Sequence, residues 1–133
     1  MATLSDDERA IVTGGNLAHF TTLQRDGMPQ TTPVWIDLHP DGHILVNTAE
    51  GRAKLKHVRR DPRVAISVSS RESDFRAVWL RGRVVETTHD GAEDHIHAMA
   101  KRYLGQDRYP FLQPGEQRVL IHIAPEKIES MIM

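Results

Sequence analysis

Residues 51–60, GRAKLKHVRR, carry five Lys or Arg in ten positions of a chain whose formal net charge is only −1. They follow Asn47 and Thr48, the end of a β-rich run, and open on a glycine. A strand that hands over to a helix at this point presents free backbone N–H groups and a partial positive charge, a setting suited to an anion. Arg52 and Lys54, with Ala53 between them, fall in that first turn. An Arg fork matches phosphate oxygens, and Lys adds a mobile point charge. The residues allow two readings: a phosphate grip, or a solvated basic face with Leu55 and Val58 packed on the core. Helical spacing turns Lys56 and Arg60 away from the Leu55/Val58 stripe and leaves Lys54 flanking it, which makes Lys54 the better ligand candidate.

Two tryptophans stand on the polar side of otherwise alternating strands. Trp35 shares its face with Asp37, and Trp79 shares its face with Ala77 and Arg81. A large aromatic in that position wants a second surface, either a flat ligand or a partner subunit, unless the two faces are reversed and both rings are core. The group His89, Asp90, Glu93, Asp94, His95 and His97 has metal-ligating residue types without metal-ligating spacing. His95 and His97 are two apart and do not share a helix face, so no metal is expected there. Ser67, Ser69 and Ser70 have no evident His and Asp partners, and G-x-S-x-G, Walker and G-x-G-x-x-G motifs are absent. No catalytic residue is identified. A chain without an acid, base or nucleophile set fits a protein whose cofactor does the chemistry.

The elements that must position these residues follow from patterning. Ser5 opens S-D-D-E, an N-cap with acidic first-turn residues, and predicts a short helix to about Thr13, stopped by Gly14-Gly15. Residues 17–24 read as a strand and Arg25-Asp26-Gly27 as its turn. From Gln30 to His39, Val34, Ile36 and Leu38 face one way and Trp35, Asp37 and His39 the other, with Pro33 marking a sheet edge or bulge. Pro40-Asp41-Gly42 turns into a third strand, His43–Thr48, completing an antiparallel meander. A helix over 51–60 ends at Asp61-Pro62. Strands follow at 63–69, at Phe75 to about Thr87 with a bend at Gly82, and at 118–124, where Pro125 interrupts and IESMIM continues as a strand or an arm. Residues 90–104 carry a helical stripe of Ile96, Met99, Ala100 and Tyr103. The expected fold is mainly β (α+β), a six-stranded antiparallel split β-barrel with short flanking helices, as one domain over 1–133.

Composition narrows the function classes. The chain has 133 residues, 39% hydrophobic and 26% charged, which is ordinary for a globular domain. It has no cysteine, which removes disulfides, thiolate metal sites and a cysteine nucleophile. The first residues, MATLSDDERAIV, lack the basic flank and apolar core of a signal peptide, and no apolar run approaches membrane-spanning length. A cytoplasmic location is expected. Near-zero net charge and 5% aromatics argue against a nucleic-acid module.

The order of these motifs resembles a known family. LAHFTTLQRDGMPQTTPVWI, then GRAKLKHVRRDPRVAISV, AVWLRGRVVE, AKRYLGQDRYPF and RVLIHIAPEKI are similar to the pyridoxamine 5′-phosphate oxidase-like split β-barrels. Within that group they are most similar to the deazaflavin-dependent branch that uses coenzyme F420. The resemblance spans nearly the whole chain. It implies an oxidoreductase that moves a hydride between the deazaflavin and a small conjugated organic substrate. It also implies a homodimer with cofactor sites at the interface, and no metal. FMN is the alternative cofactor, and a non-catalytic cofactor carrier the alternative role. The resemblance puts Arg52, Ala53 and Lys54 on the cofactor phosphate and Gln30, Thr31, Thr32, Pro33 and Val34 along the ring. Asn47 and Thr48, with Val78, Trp79 and Leu80, complete the implied pocket.

Overall fold

The computed structural model describes residues 1–133. Its elements in chain order are α1 (Asp6–Thr13), β1 (Ala18–Leu23), β2 (Pro29–Val34), β3 (Ile36–Leu38), β4 (Ile44–Ala49), α2 (Ala53–Arg60), β5 (Arg63–Ser70), β6 (Ser73–Thr88), α3 (Ala92–Leu104) and β7 (Arg118–Ile132). The strands form one antiparallel sheet in the order β2-β1-β5-β6-β7-β4-β3.

The sheet curls until its two edges are one residue apart. The expected strand from Gln30 to His39 divides at Trp35: β2 pairs with β1, and β3 pairs with β4 at the opposite edge. Seven strands result instead of six, because a single length of chain changes ladder partner midway. The alternation survives the change. Val34 and Ile36 are buried and Leu38 packs on them, in a core with Phe20, Val46, Leu55, Ile66, Val78, Val119, Ile121 and Ile123. Pro33 sits on the edge strand, as its missing N–H requires.

At the seam the backbone is held by a side chain. The Ile36 N–H donates to the Tyr103 hydroxyl at 3.1 Å, and that hydroxyl donates to the Asn16 carbonyl at 2.9 Å. Tyr103 comes from the stripe of α3, whose Ile96, Met99 and Tyr103 form a small second cluster with Trp35 and Tyr109. Burial pushes the Tyr103 hydroxyl's pKa up, which keeps it a neutral donor.

β7 runs unbroken through Pro125. In a strand a residue's N–H and C=O point to the same side, and the Pro125 carbonyl accepts from Ala2 N–H at 2.8 Å, away from β6. The absent proline N–H therefore costs no ladder bond. The register shifts at Arg81/Gly82, and the backbones close in there. A Cβ added to Gly82 would lie 2.3 Å from the Ala124 carbonyl oxygen, so only glycine fits this bend. The Ser5–Glu8 capping box opens α1 as the S-D-D-E run predicts.

Candidate functional site

A cavity of about 430 Å³ opens where the β1–β2 hairpin parts from the β3–β4 hairpin. Pro33, Val34 and Trp35 form the seam side, with Leu17 just before β1. Asn47 and Thr48 come from the end of β4, Arg52 and Lys54 from the start of α2, and Arg118 from the start of β7. Ile96 of α3 and Tyr109 and Phe111 of the following loop close it. A volume of this order suits a small organic ligand.

Three cations meet on its wall. Arg118 is 7% exposed; its Nε donates to Asn47 Oδ1 at 2.9 Å and its guanidinium carbon lies 5.3 Å from the centre of the Tyr109 ring. Register alone brings this about, because Arg118 stands opposite Ala49 on β4, two residues past Asn47. Arg52, exposed, is the N-cap residue of α2, and no side chain caps that helix start. Lys54 is half-buried; burial pushes its pKa down, and the neighbouring Arg52 and Arg118 push it further the same way. The carboxylate within reach belongs to Glu116, 3.3 Å from Arg118 and 3.6 Å from Arg52. Three positive groups against one negative group leave an uncompensated field, which an anion would satisfy.

A polar chain behind the wall fixes it. The Asn47 amide donates to the Ala92 carbonyl at 2.8 Å and to His95 Nδ1 at 3.1 Å, so its carbonyl faces Arg118. The His95 Nε2 proton then points to Asp37 Oδ2 at 3.0 Å, and Arg102 donates to Asp37 Oδ1 at 2.7 Å. Burial alone would raise the Asp37 carboxyl pKa, but the His95 and Arg102 hydrogen bonds outweigh it and hold the value at about 2. Both nitrogens of His95 are thus engaged in positioning Asn47, and the ring does not line the cavity.

The opposite wall is aromatic. Trp35 stacks on Tyr103 at 5.0 Å between centroids and meets Tyr109 edge-on at 6.0 Å; Tyr109 meets Phe111 edge-on at 5.6 Å. Phe111 is 62% exposed on its loop. An aromatic wall beside a cationic one fits a ligand with a flat ring at one end and negative charge at the other.

Of the residues singled out in the sequence, Pro33, Val34, Asn47, Thr48, Arg52 and Lys54 line this cavity, and Ala53 is the exposed first residue of α2. Thr31, Trp79 and Leu80 line a second, shallow cavity of about 360 Å³ on the outer face of β1, β5, β6 and β7. Gln30 and Thr32 lie on β2 opposite Thr22 and Phe20 and line neither cavity. The Val78 side chain is fully buried in the barrel core and lines neither cavity. Trp35, expected to seek a flat ligand or a partner subunit, lines the cavity, whereas sequence reasoning passed over Arg118, Leu17, Ile96, Tyr109 and Phe111. The aromatic pair in the polar stretch 105–117 was the available signal. The histidine-rich group disperses: His89 pairs with Glu50, His95 with Asp37, and His97 accepts from Tyr109 N–H.

An antiparallel split barrel with an anion-seeking, aromatic-lined cleft at its seam defines the class. The family model described as pyridoxamine 5′-phosphate oxidase matches residues 4–132, and the chain belongs to that family. Among solved structures, one described as "F420 Reductase" is similar with a TM-score of 0.81 at 21% identity, covering 95% of this chain and 98% of that one. A conserved hypothetical protein from Mycobacterium tuberculosis gives 0.74 at 23% identity, over 97% and 85% of the two chains. General Stress Protein 26 from Bacillus anthracis gives 0.70 at 20% identity, over 95% and 92%. Membership of the family supports a flavin-type oxidoreductase-like protein, and the neighbours show the fold. No helix is long and apolar enough to cross a membrane.

Proposed function

We propose that the chain is a coenzyme F420-dependent reductase whose cofactor occupies the seam cavity. The observation that carries this reading is the convergence of Arg52, Lys54 and Arg118 on one cleft with a single carboxylate among them. When bound, the reduced deazaflavin would supply a hydride to a small conjugated organic acceptor, with solvent supplying the balancing proton. The protein's part is to bind and orient. Arg52, Lys54 and the uncapped start of α2 take the phosphate, with Arg118, braced by Asn47, beside them. Trp35, Tyr109 and Phe111 offer the flat ring a surface and exclude water. The fold likeness to the structure described as an F420 reductase favours the deazaflavin over FMN.

The same reading makes the functional unit a homodimer. The outer face of β1, β5, β6 and β7 carries two adjoining hollows that share Thr21, Ala65 and Arg81. Trp79 is 40% exposed there, its indole N–H donating to Glu129 at 2.9 Å. A second copy laid on this face would bring Thr31 and Trp79 toward a shared site.

Titration with F420 and with FMN separately tests the cofactor. Tighter F420 binding, weakened at least tenfold by Lys54→Ala, is expected; equal or tighter FMN binding would replace the cofactor, and undiminished F420 binding would remove Lys54. Oxidation of reduced F420 by a conjugated acceptor distinguishes a reductase from a carrier. Sedimentation should give a dimer that Trp79→Arg dissociates; a monomeric wild type would refute the interface.

A further inference from the structure

Three histidines and one aspartate meet at the far end of β4 from the cavity, a separation of roughly 15 Å at the rise of an extended strand. Asp41 and His43 belong to the turn between β3 and β4, and His39 opens that turn. His122 comes from the outward side of β7, where it stands opposite Leu45 on β4 and Glu86 on β6, and it is 8% exposed. The His43 and His122 Nδ1 atoms lie 3.4 Å apart, and His43 Nδ1 lies 3.1 Å from Asp41 Oδ2.

We infer that Asp41, His43 and His122 form a binding site for a first-row divalent cation of the zinc type. The donor atoms of all three lie within 4.8 Å of one another. Two ligands on a tetrahedral zinc with bonds of about 2.0–2.1 Å are about 3.3–3.4 Å apart, close to the observed nitrogen separation. Without a cation, two facing imidazole nitrogens and a carboxylate oxygen compete for one proton between them. A cation replaces that proton and satisfies all three at once. Two imidazoles and a carboxylate are the donor set of zinc and its neighbours, not of calcium or magnesium.

The surroundings support the assignment. His39 Nδ1 accepts from the Asp41 N–H at 3.2 Å and lies 2.9 Å from the other Asp41 oxygen, so His39 braces the turn that carries the ligating carboxylate. The Asp41 side chain is further held by His43 N–H at 2.9 Å, which fixes the turn before any ion arrives. Glu86 adds a second negative charge across from His122. The bound cation pins the exposed β3–β4 turn to the outward face of β7, a fastening separate from the proposed cofactor site.

The test is titration of untagged protein with Zn²⁺ alone against a chromophoric chelator, repeated with Co²⁺ for its visible absorption. One equivalent per chain at micromolar affinity or tighter is expected, with the intense bands of four- or five-coordinate Co²⁺. His122 is buried and its removal risks misfolding, so Asp41→Asn and His43→Ala, both on the turn, carry the test. Each should weaken binding at least tenfold, while His19→Ala leaves it unchanged. Binding only at millimolar concentration, or binding equally strong in Asp41→Asn and His43→Ala, would overturn the site. The result is independent of whether F420 binds.

Discussion

The Tyr103 hydroxyl stands where a neighbouring strand would stand for Ile36. It accepts the Ile36 N–H at 3.1 Å and passes its own proton to Asn16. At the point where the chain leaves one ladder and joins another, a phenol from α3 takes over the backbone's hydrogen bond. The closure of the barrel therefore depends on a helix outside it.

Tyr103→Phe removes that hydroxyl and leaves a buried N–H without its partner. The expected loss is about 1–3 kcal/mol in urea unfolding, larger than the net worth of an ordinary hydrogen bond. A loss below about 0.5 kcal/mol would mean that the seam is satisfied another way.

Lys54 is held charged against burial and two neighbouring guanidinium groups. Its folded pKa lies below its unfolded value, so the folded state binds fewer protons over that interval. Stability should rise with pH as the solution passes upward through it. Lys54→Met should accordingly raise the melting temperature of the ligand-free protein, by about 1–3 °C, while weakening anion binding at least tenfold. A variant that loses stability together with binding would contradict this account of Lys54.

The Asp37 pKa is lowered as well, but here folding favours the charged form where for Lys54 it disfavours it. Its carboxyl, held at about 2 in the folded protein, contributes fully above its ordinary value near 4 and is lost as pH falls toward 2. Allowing for the partial exposure of Arg102, the contribution is about 1–2 kcal/mol. Asp37→Asn should remove it at neutral pH and flatten the acid limb of the stability curve between pH 4 and 2. Denaturant titrations of both proteins across that range measure it.

Gly82→Ala places a methyl group against the Ala124 carbonyl at 2.3 Å. Backbone on both sides must move, and a loss of about 2 kcal/mol or more is expected in chemical unfolding. An unaltered midpoint would show that the bulge slides freely.

The parts of the fold written in local pattern were legible. The Ser5 capping box, the Asp26-Gly27 and Asp41-Gly42 turns and the alternation of Val64, Ile66 and Val68 all stand where the sequence puts them. The division at Trp35 was not, because the inward side chains keep a period of two across it while only the hydrogen-bond partner changes. Pro125 misled for a related reason: proline breaks a ladder only when its N side faces a partner, and here that side faces away from β6. In the candidate site, Lys54 and Arg52 announced themselves through charge density at a helix start. Arg118 is a single cation at the head of an apolar strand, and only the pairing of β4 with β7 sets it beside Asn47.

The seam where β2 passes into β3 is the one place in the curled sheet where neighbouring hairpins are joined by a covalent link and a phenol instead of a ladder. The cleft lies in that gap, touching Pro33 on one lip and Asn47 on the other. Anything bound there acts as a rivet between two flaps, so occupancy and mechanical integrity become one quantity. Amide exchange at Trp35 and Leu17 should slow on loading, and the empty protein should begin to unzip at this joint before the rest of the wall yields.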